Sequence, residues 1–102
     1  MNRKPIIIWK DGGPKWVAGY TLKANNIPLA AFRDDGEHEY TFVDLRTGCM
    51  YGNTKCYTLA SAMKELKEMP FHGWLPSLPE ILSDPGLFEQ MNEIYRFEHG
   101  GV

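Results

Sequence analysis

The sequence of 102 residues falls in the size range of one domain, and its 43% of hydrophobic residues is enough to build a core, which excludes a disordered chain. Its 11 basic and 13 acidic residues leave a formal charge of -2, which disfavours binding through nucleic-acid phosphates without excluding it. Apolar runs such as residues 6–9 are too short to span a bilayer, and the first residues lack the apolar stretch of a secretory signal. We expect one cytoplasmic domain over residues 1–102 that does not contact membranes.

The first half of the chain has the pattern of β-strands separated by tight turns. Residues 15–23 show the clearest alternation, with Trp16, Tyr20 and Leu22 on the same face. Pro28 cannot donate a hydrogen bond to a neighbouring strand, so it predicts that its strand begins on an edge of the sheet. We predict an antiparallel meander of about five strands, at residues 5–10, 15–23, 27–33, 38–45 and 49–51, with turns at residues 11–14, 25–26, 34–36 and 46–48.

The second half of the chain changes to helical spacing. Thr58 is suited to cap a helix and Pro70 to stop it, which leaves room for about twelve helical residues. A helix of this kind would lay one apolar face on the sheet and leave its charged residues in water. The predicted buried face consists of Leu59, Ala62, Met63, Leu66 and Met69.

Two more helical segments are predicted after a loop. Ser77 and Glu80 have the spacing of a capping box before a short helical turn, and Asp84 and Pro85 are suited to the first positions of a last helix. The fold class is therefore α+β, with an antiparallel sheet followed by two to three helices. The apolar stripe predicted for the last helix consists of Leu87, Phe88, Met91, Ile94 and Tyr95.

No pattern of a reaction centre is complete in this sequence. The glycine pair at 12–13 lacks the Lys-Ser/Thr ending of a phosphate-binding loop. Glu65 and Lys67 share the spacing of some metal-dependent nucleases, but they fall on the predicted solvent face of a helix. Cys49 and Cys56 are expected to be reduced thiols, because nothing directs the chain to an oxidising compartment. We predict no catalytic residue, no metal ion and no cofactor.

The densest charge lies at residues 34–39, which we call the acidic segment. Its simplest interpretation is a solvated turn, because Asp and Gly are ordinary turn residues. Carboxylate oxygens could instead hold a divalent cation, although their order does not match an EF-hand loop, or they could dock on Lys and Arg side chains of a protein partner. The candidate partner-binding residues here are Asp34, Asp35, Glu37 and Glu39.

A second candidate is the aromatic loop, residues 71–76, which carries Phe71, His72 and Trp74. The leading expectation is that Phe71 and Trp74 tuck beneath the loop and close the core between the helices. If they were exposed, they would instead serve as binding anchors, because aromatic side chains dominate binding hot spots. The same two alternatives apply to Trp9 and Trp16.

Residues 43–48 (VDLRTG) and 58–62 (TLASA) resemble the strand, T-G turn, strand and helix unit of small phage and prophage accessory proteins. The resemblance covers less than a third of the chain. Characterised members of that group frequently inhibit host defence systems, anti-CRISPR proteins among them, by stoichiometric binding. The resemblance implies a similar inhibitory role here and assigns no functional residue, because the matching positions are structural.

Three functions are compatible with the sequence. The first is a non-catalytic protein-binding module, in which a core is present without a reaction centre. The second is a small metal-dependent nuclease or other enzyme that uses the carboxylates of residues 34–44. The third is a nucleic-acid binder that uses a group of basic and aromatic residues near the start of the chain, namely Arg3, Lys4, Lys10, Lys15, Trp9 and Trp16.

Overall fold

The computed structural model describes residues 2–52 and 57–100. Its first half is a five-stranded antiparallel sheet in which each strand pairs with the next along the chain, so the predicted meander and the α+β class are confirmed. The strands are β1 (Lys4–Lys10), β2 (Gly13–Ala24), β3 (Ile27–Phe32), β4 (Thr41–Asp44) and β5 (Cys49–Tyr51).

Tight turns join the first three strands as expected. Asp11 and Gly12 both have positive φ angles, and so do Asn25 and Asn26. Two central residues with positive φ match the right-handed twist of paired strands, and Asn, Asp and Gly are the residues that adopt this conformation most readily. The sequence Asp-Gly and the pair Asn-Asn therefore determine where the first two hairpins turn.

One detail of the predicted sheet is wrong. The fourth strand was expected at residues 38–45, but β4 begins at Thr41 because residues 33–40 form a longer loop around the turn in which the Glu37 amide donates to the Asp34 carbonyl. Pro28 lies at the start of β3, where residues 27–28 pair with β2 and not with β4, so the early part of this strand lies on an edge as predicted. The Pro28 carbonyl accepts from the Leu45 amide just beyond the last pair between β3 and β4, and its nitrogen, which carries no hydrogen, faces the same side.

The second half contains the helices α1 (Leu59–Glu68), α2 (Leu78–Ser83) and α3 (Pro85–Glu98), and a 3₁₀ turn at Met69–Phe71. Each predicted cap is confirmed. Thr58 Oγ1 accepts from the Ser61 amide, Ser77 Oγ accepts from the Glu80 amide, and Asp84 Oδ1 accepts from two amides at the start of α3. In the part of the chain that the structure describes, no helix has the length and apolar character needed to cross a membrane.

The helix α1 packs on the outer face of the sheet, as its sequence predicts. Ala62, Leu66 and Met69 are fully buried and form one core cluster with Leu29, Ala31 and Phe42 of the sheet. Leu59 and Met63 contact the edge of this cluster. The opposite face of the sheet forms a separate cluster made of Ile6, Ile8, Ala30, Phe32 and Val43. The sheet thus curves so that its own residues enclose this second cluster.

Contacts between the β4–β5 turn and β1 complete this curl. The Trp9 amide donates to the Gly48 carbonyl over 2.8 Å. Gly48 has a φ angle of +72°, and a Cβ atom there would lie 2.8 Å from Trp9 N and 2.7 Å from Ile94 Cδ1 of α3. The strand β1, this turn and α3 therefore meet at a position that only glycine can fill without displacement.

The helix α3 is held more loosely than its sequence predicts. Only Ile94 of the expected apolar stripe is buried, whereas Phe88 and Tyr95 are exposed. The helix lies against β1 and β2, where Phe97 contacts the Trp16 ring, and Gln90 Nε2 donates to the Thr47 carbonyl. Side chains of the sheet itself fill much of the core on this side. The area that α3 buries is therefore smaller than the area that a stripe of five apolar residues would bury.

Candidate binding surfaces

The aromatic loop presents its two largest side chains to solvent. Phe71 is 74% exposed and Trp74 is 49% exposed, so the expectation that they close the core is wrong. Their neighbours do this instead: Met69 is fully buried, and Leu75 packs against the α1 cluster. The loop is therefore anchored by two residues that flank the exposed aromatic ones, one before Phe71 and one after Trp74.

A buried ion pair fixes the end of this loop to the sheet. Asp44 is completely buried and accepts from Arg46 Nε over 3.0 Å and from an Arg46 terminal nitrogen over 2.7 Å. The same terminal nitrogen donates to the Pro76 carbonyl over 2.7 Å. Burial raises the pKa of the nearby Tyr51 hydroxyl to about 12, and the Asp44 carboxylate adds to this effect. The ion pair of Asp44 and Arg46 thus connects the end of the aromatic loop to the sheet.

His72 connects the aromatic loop to α1. Its imidazole stacks on the Trp74 ring, with centroids 5.0 Å apart and planes inclined by 27°. Its Nε2 atom lies 3.5 Å from Glu65 Oε1 on α1. Of the three residues predicted in this loop, His72 and Trp74 are brought together, and Phe71 projects separately into solvent. Glu65 takes part in this contact rather than in a metal site with Lys67, which is exposed.

The short helix α2 also has exposed apolar side chains. Leu78 and Leu82, one turn apart, are about half exposed, whereas Ile81 is completely buried. We call the four exposed side chains of Phe71, Trp74, Leu78 and Leu82, all within residues 71–82, the apolar patch. Sequence reasoning missed the two leucines, because their spacing around Ile81 is that of an ordinary buried stripe and carries no signal of exposure.

The acidic segment lines a cavity of about 310 Å³. Asp34, Asp35 and Glu37 contribute to its wall together with His38, and all four residues are exposed. Glu39 is not part of this wall, because it faces Tyr57, whose hydroxyl donates to Glu39 Oε1 over 3.4 Å. The structure therefore brings together three of the four predicted acidic residues.

Two arginines give this cavity a mixed charge. Arg33 lies over the Tyr40 ring, 4.6 Å from its centroid, and also donates to the Tyr57 carbonyl. Arg3 also lines the cavity, together with Ala18 and Tyr20. Negative charge is in slight excess over positive charge, which suits a cationic group from a partner better than an anionic one.

The carboxylates proposed for a metal-dependent enzyme are not gathered at one point. Asp44 is buried in its ion pair with Arg46, away from the cavity lined by Asp34, Asp35 and Glu37. Within residues 2–52 and 57–100, no three side chains of His, Cys, Asp or Glu converge in a way that could hold a metal ion.

The structure brings together some of the residues proposed for nucleic-acid binding: Arg3 and Lys4 line a shallow pocket with Trp16, which is 49% exposed. Trp16 is partly covered by Phe97, and its ring centroid lies 5.8 Å from that of Phe97. Lys15 is paired with Asp11 over 3.1 Å. Trp9 is half-buried where β1 meets the β4–β5 turn. Arg3, Lys4 and Lys10 are exposed.

The predicted reduced thiols are described only in part. Cys49 is a free, half-buried thiol whose sulfur accepts from Gln90 Nε2 over 3.2 Å. Cys56 lies outside the described residues. The contact with Gln90 gives Cys49 a structural place between the β4–β5 turn and α3. Comparisons of this chain with protein-family models, with curated proteins and with solved structures find no match.

Proposed function

We propose that the protein is a non-catalytic binding module whose apolar patch contacts a protein partner. The observation that carries this proposal is the exposure of Phe71 and Trp74 on a loop that is otherwise anchored. Large apolar side chains lose contact with water when a partner covers them, and each such burial contributes about 1.5–3 kcal/mol. Large exposed apolar side chains that come together on a surface are typical of an interaction site.

The anchoring of the loop supports the same proposal. The backbone on both sides of Trp74 is restricted by the Arg46 contact to Pro76, by the buried Met69 and by Leu75, which is partly buried against the α1 cluster. A side chain that is already positioned loses less conformational entropy on binding, which improves affinity without any new contact. Trp and other aromatic residues held in this way are common hot spots.

The cavity of the acidic segment is a second place where the partner would be recognised. Asp34, Asp35 and Glu37 suit a Lys or Arg side chain of the partner, and such charge pairs speed association and determine orientation. The resemblance to phage and prophage accessory proteins implies a partner among host defence proteins, with inhibition as the outcome. That finer statement remains a prediction of the sequence.

The proposal is tested by capture of a partner from a cell lysate on the immobilised protein. We expect Phe71→Ala and Trp74→Ala each to weaken binding of the captured protein by about 30-fold or more, the effect of losing a hot-spot side chain. Tyr95→Ala is the matched control, because Tyr95 is a 64% exposed aromatic residue on α3, outside the apolar patch. Equal weakening by all three variants, or by none, would refute the patch as the binding surface.

A further inference from the structure

We infer that a cavity between β1 and α3 binds a small organic carboxylate whose apolar end is about as large as a benzene ring. The cavity has a volume of about 150 Å³. Its described lining residues lie between positions 4 and 45 or on α3, outside the apolar patch at residues 71–82. The site is therefore separate from the surface of the proposed function and does not depend on it.

The interior of this cavity is apolar. Ile6 and Ile7 of β1 and Ile94 of α3 line it, and all three side chains are buried. Leu45 also lines it and is half-buried. An apolar cavity of about 150 Å³ is large enough to hold one benzene ring. A ring or a short alkyl chain there makes the contacts that the walls of an empty cavity lack.

The packing of α3 explains why this space is open. Ile94 is the buried residue of the predicted stripe, and Phe97, one turn further along, contacts the Trp16 ring with centroids 5.8 Å apart. Both Ile94 and Trp16 line the cavity. These contacts hold the helix on the sheet beside the cavity and do not fill it.

The mouth of the cavity carries positive charge. Lys4 and Trp16 line the cavity and are exposed, and the neighbouring shallow pocket shares both residues and adds the exposed Arg3. Among the described residues, no carboxylate lies within 4.0 Å of the side-chain nitrogens of Lys4 or Arg3. Both charges are therefore available to a carboxylate whose apolar end occupies the cavity.

Glu98 is the acidic residue among those that line the cavity. It lies at the end of α3 and is exposed. The two positive charges of Arg3 and Lys4 and the one negative charge of Glu98 leave the mouth with a net positive charge, which favours an anion over an ammonium group. A carboxylate and an amine that carry the same ring distinguish these two ligand classes.

The experiment titrates the protein with 3-phenylpropionate and follows the nuclear magnetic resonance signals of the Trp16 indole N–H and of the Ile7 and Ile94 methyl groups. We expect these signals to shift saturably. The alcohol and the amine with the same phenylpropyl group should bind at least about twofold more weakly, because they lose the attraction of the basic mouth. Equal or tighter binding of either compound would overturn the choice of a carboxylate, and the absence of saturable shifts with all of them would overturn the site.

Two lysine variants test the charge at the mouth. Lys4→Gln should weaken binding of 3-phenylpropionate by about two- to fivefold, the effect of one exposed ion pair, and should leave binding of the alcohol unchanged. Lys10→Gln is the matched control, because Lys10 is an exposed lysine on the same strand that does not line the cavity. Equal weakening by both variants, or by neither, would refute the role of Lys4.

A third variant, Thr21→Phe, tests the cavity itself. Thr21 lines the cavity on β2 and is half-buried, and an aromatic residue suits a strand, so the new ring should occupy part of the space. We expect this variant to lose binding of both the carboxylate and the alcohol while circular dichroism shows an intact fold. Unchanged binding by the folded variant would place the probes elsewhere. If the variant does not fold, the residue-specific shifts and the comparison of Lys4→Gln with Lys10→Gln decide the inference.

Discussion

Asp44 is the buried carboxylate that links the sheet to the aromatic loop through Arg46. Removal of one partner from such a pair leaves the other charge buried without compensation, which costs about 3–5 kcal/mol. We therefore expect Asp44→Ala to lower the free energy of unfolding by about that amount. Urea denaturation followed by circular dichroism measures this change.

The matched variant for this prediction is Arg46→Lys, which keeps the positive charge. Arg46 donates through two of its nitrogens to Asp44 and through one of these to Pro76, a geometry that a single ammonium group cannot reproduce. We expect a smaller loss of stability than for Asp44→Ala, with greater mobility of the aromatic loop. If Asp44→Ala costs less than about 1 kcal/mol, the value typical of an exposed pair, the ion pair does not anchor the loop.

At the scale of single residues, sequence identified the candidates but not their exposure. Phe71 and Trp74 stood out as aromatic residues in a loop, and the reasonable expectation was burial. The outcome depended on Met69 and Leu75, which filled the space that the aromatic residues were expected to fill. Three-dimensional packing decides which of several neighbouring apolar side chains enters a core. An irregular loop has no periodicity from which that choice can be predicted.

The same limit applies to charged residues. The sequence placed Asp34, Asp35, Glu37 and Glu39 in one group, whereas the structure separates Glu39 toward Tyr57. The ion pair between Asp44 and Arg46 was not predicted, because a pair two residues apart gives no signal unless the position of Pro76 is known.

At the scale of elements, the junction between the β4–β5 turn, β1 and α3 depends on Gly48. A Cβ atom there would come within 2.7 Å of Ile94 Cδ1 and 2.8 Å of Trp9 N, and the positive φ angle adds strain. We expect Gly48→Ala to lower the free energy of unfolding by about 2–5 kcal/mol, the sum of overpacking and left-handed backbone strain. Thermal and urea unfolding measure the loss.

Gly36→Ala separates these two contributions. Gly36 also has a positive φ angle, +89°, but nothing lies within 4 Å of a Cβ atom built there. We expect it to cost only the backbone strain, about 1–2 kcal/mol. Equal costs at the two positions would mean that the close contacts at Gly48 relax freely and that the junction is not tightly packed.

Elements with local signals were predicted well. Thr58, Ser77 and Asp84 act as helix caps because each has a side-chain oxygen that accepts from the amides of the first turn, an interaction that needs only nearby residues. The turn pairs Asp11-Gly12 and Asn25-Asn26 were recognised for the same reason. The start of β4 and the shallow packing of α3 were missed, since both depend on how the sheet curls, which is a property of contacts distant in sequence.

At the scale of the whole molecule, the sheet is shared by two core clusters, because alternate residues of the same strands contribute to each. Disruption of one cluster therefore displaces the strands that also carry the residues of the other cluster. We predict a single cooperative unfolding transition for residues 1–102, with coincident curves from far-ultraviolet circular dichroism and tryptophan fluorescence. The expected slope in urea is about 1–3 kcal/mol/M. Two separate transitions would show that the helical half unfolds independently and that the chain is not one domain.

The position of Gly48 also has a consequence for the order of folding. Trp9 lies near one end of the described chain and Ile94 near the other, yet both contact the same glycine. The hairpins between neighbouring strands can form while a ribosome is still making the chain, but this junction cannot close until Ile94 has been released from the exit tunnel. Because contacts between distant residues slow folding, we expect its closure to be a late step, after the meander has formed.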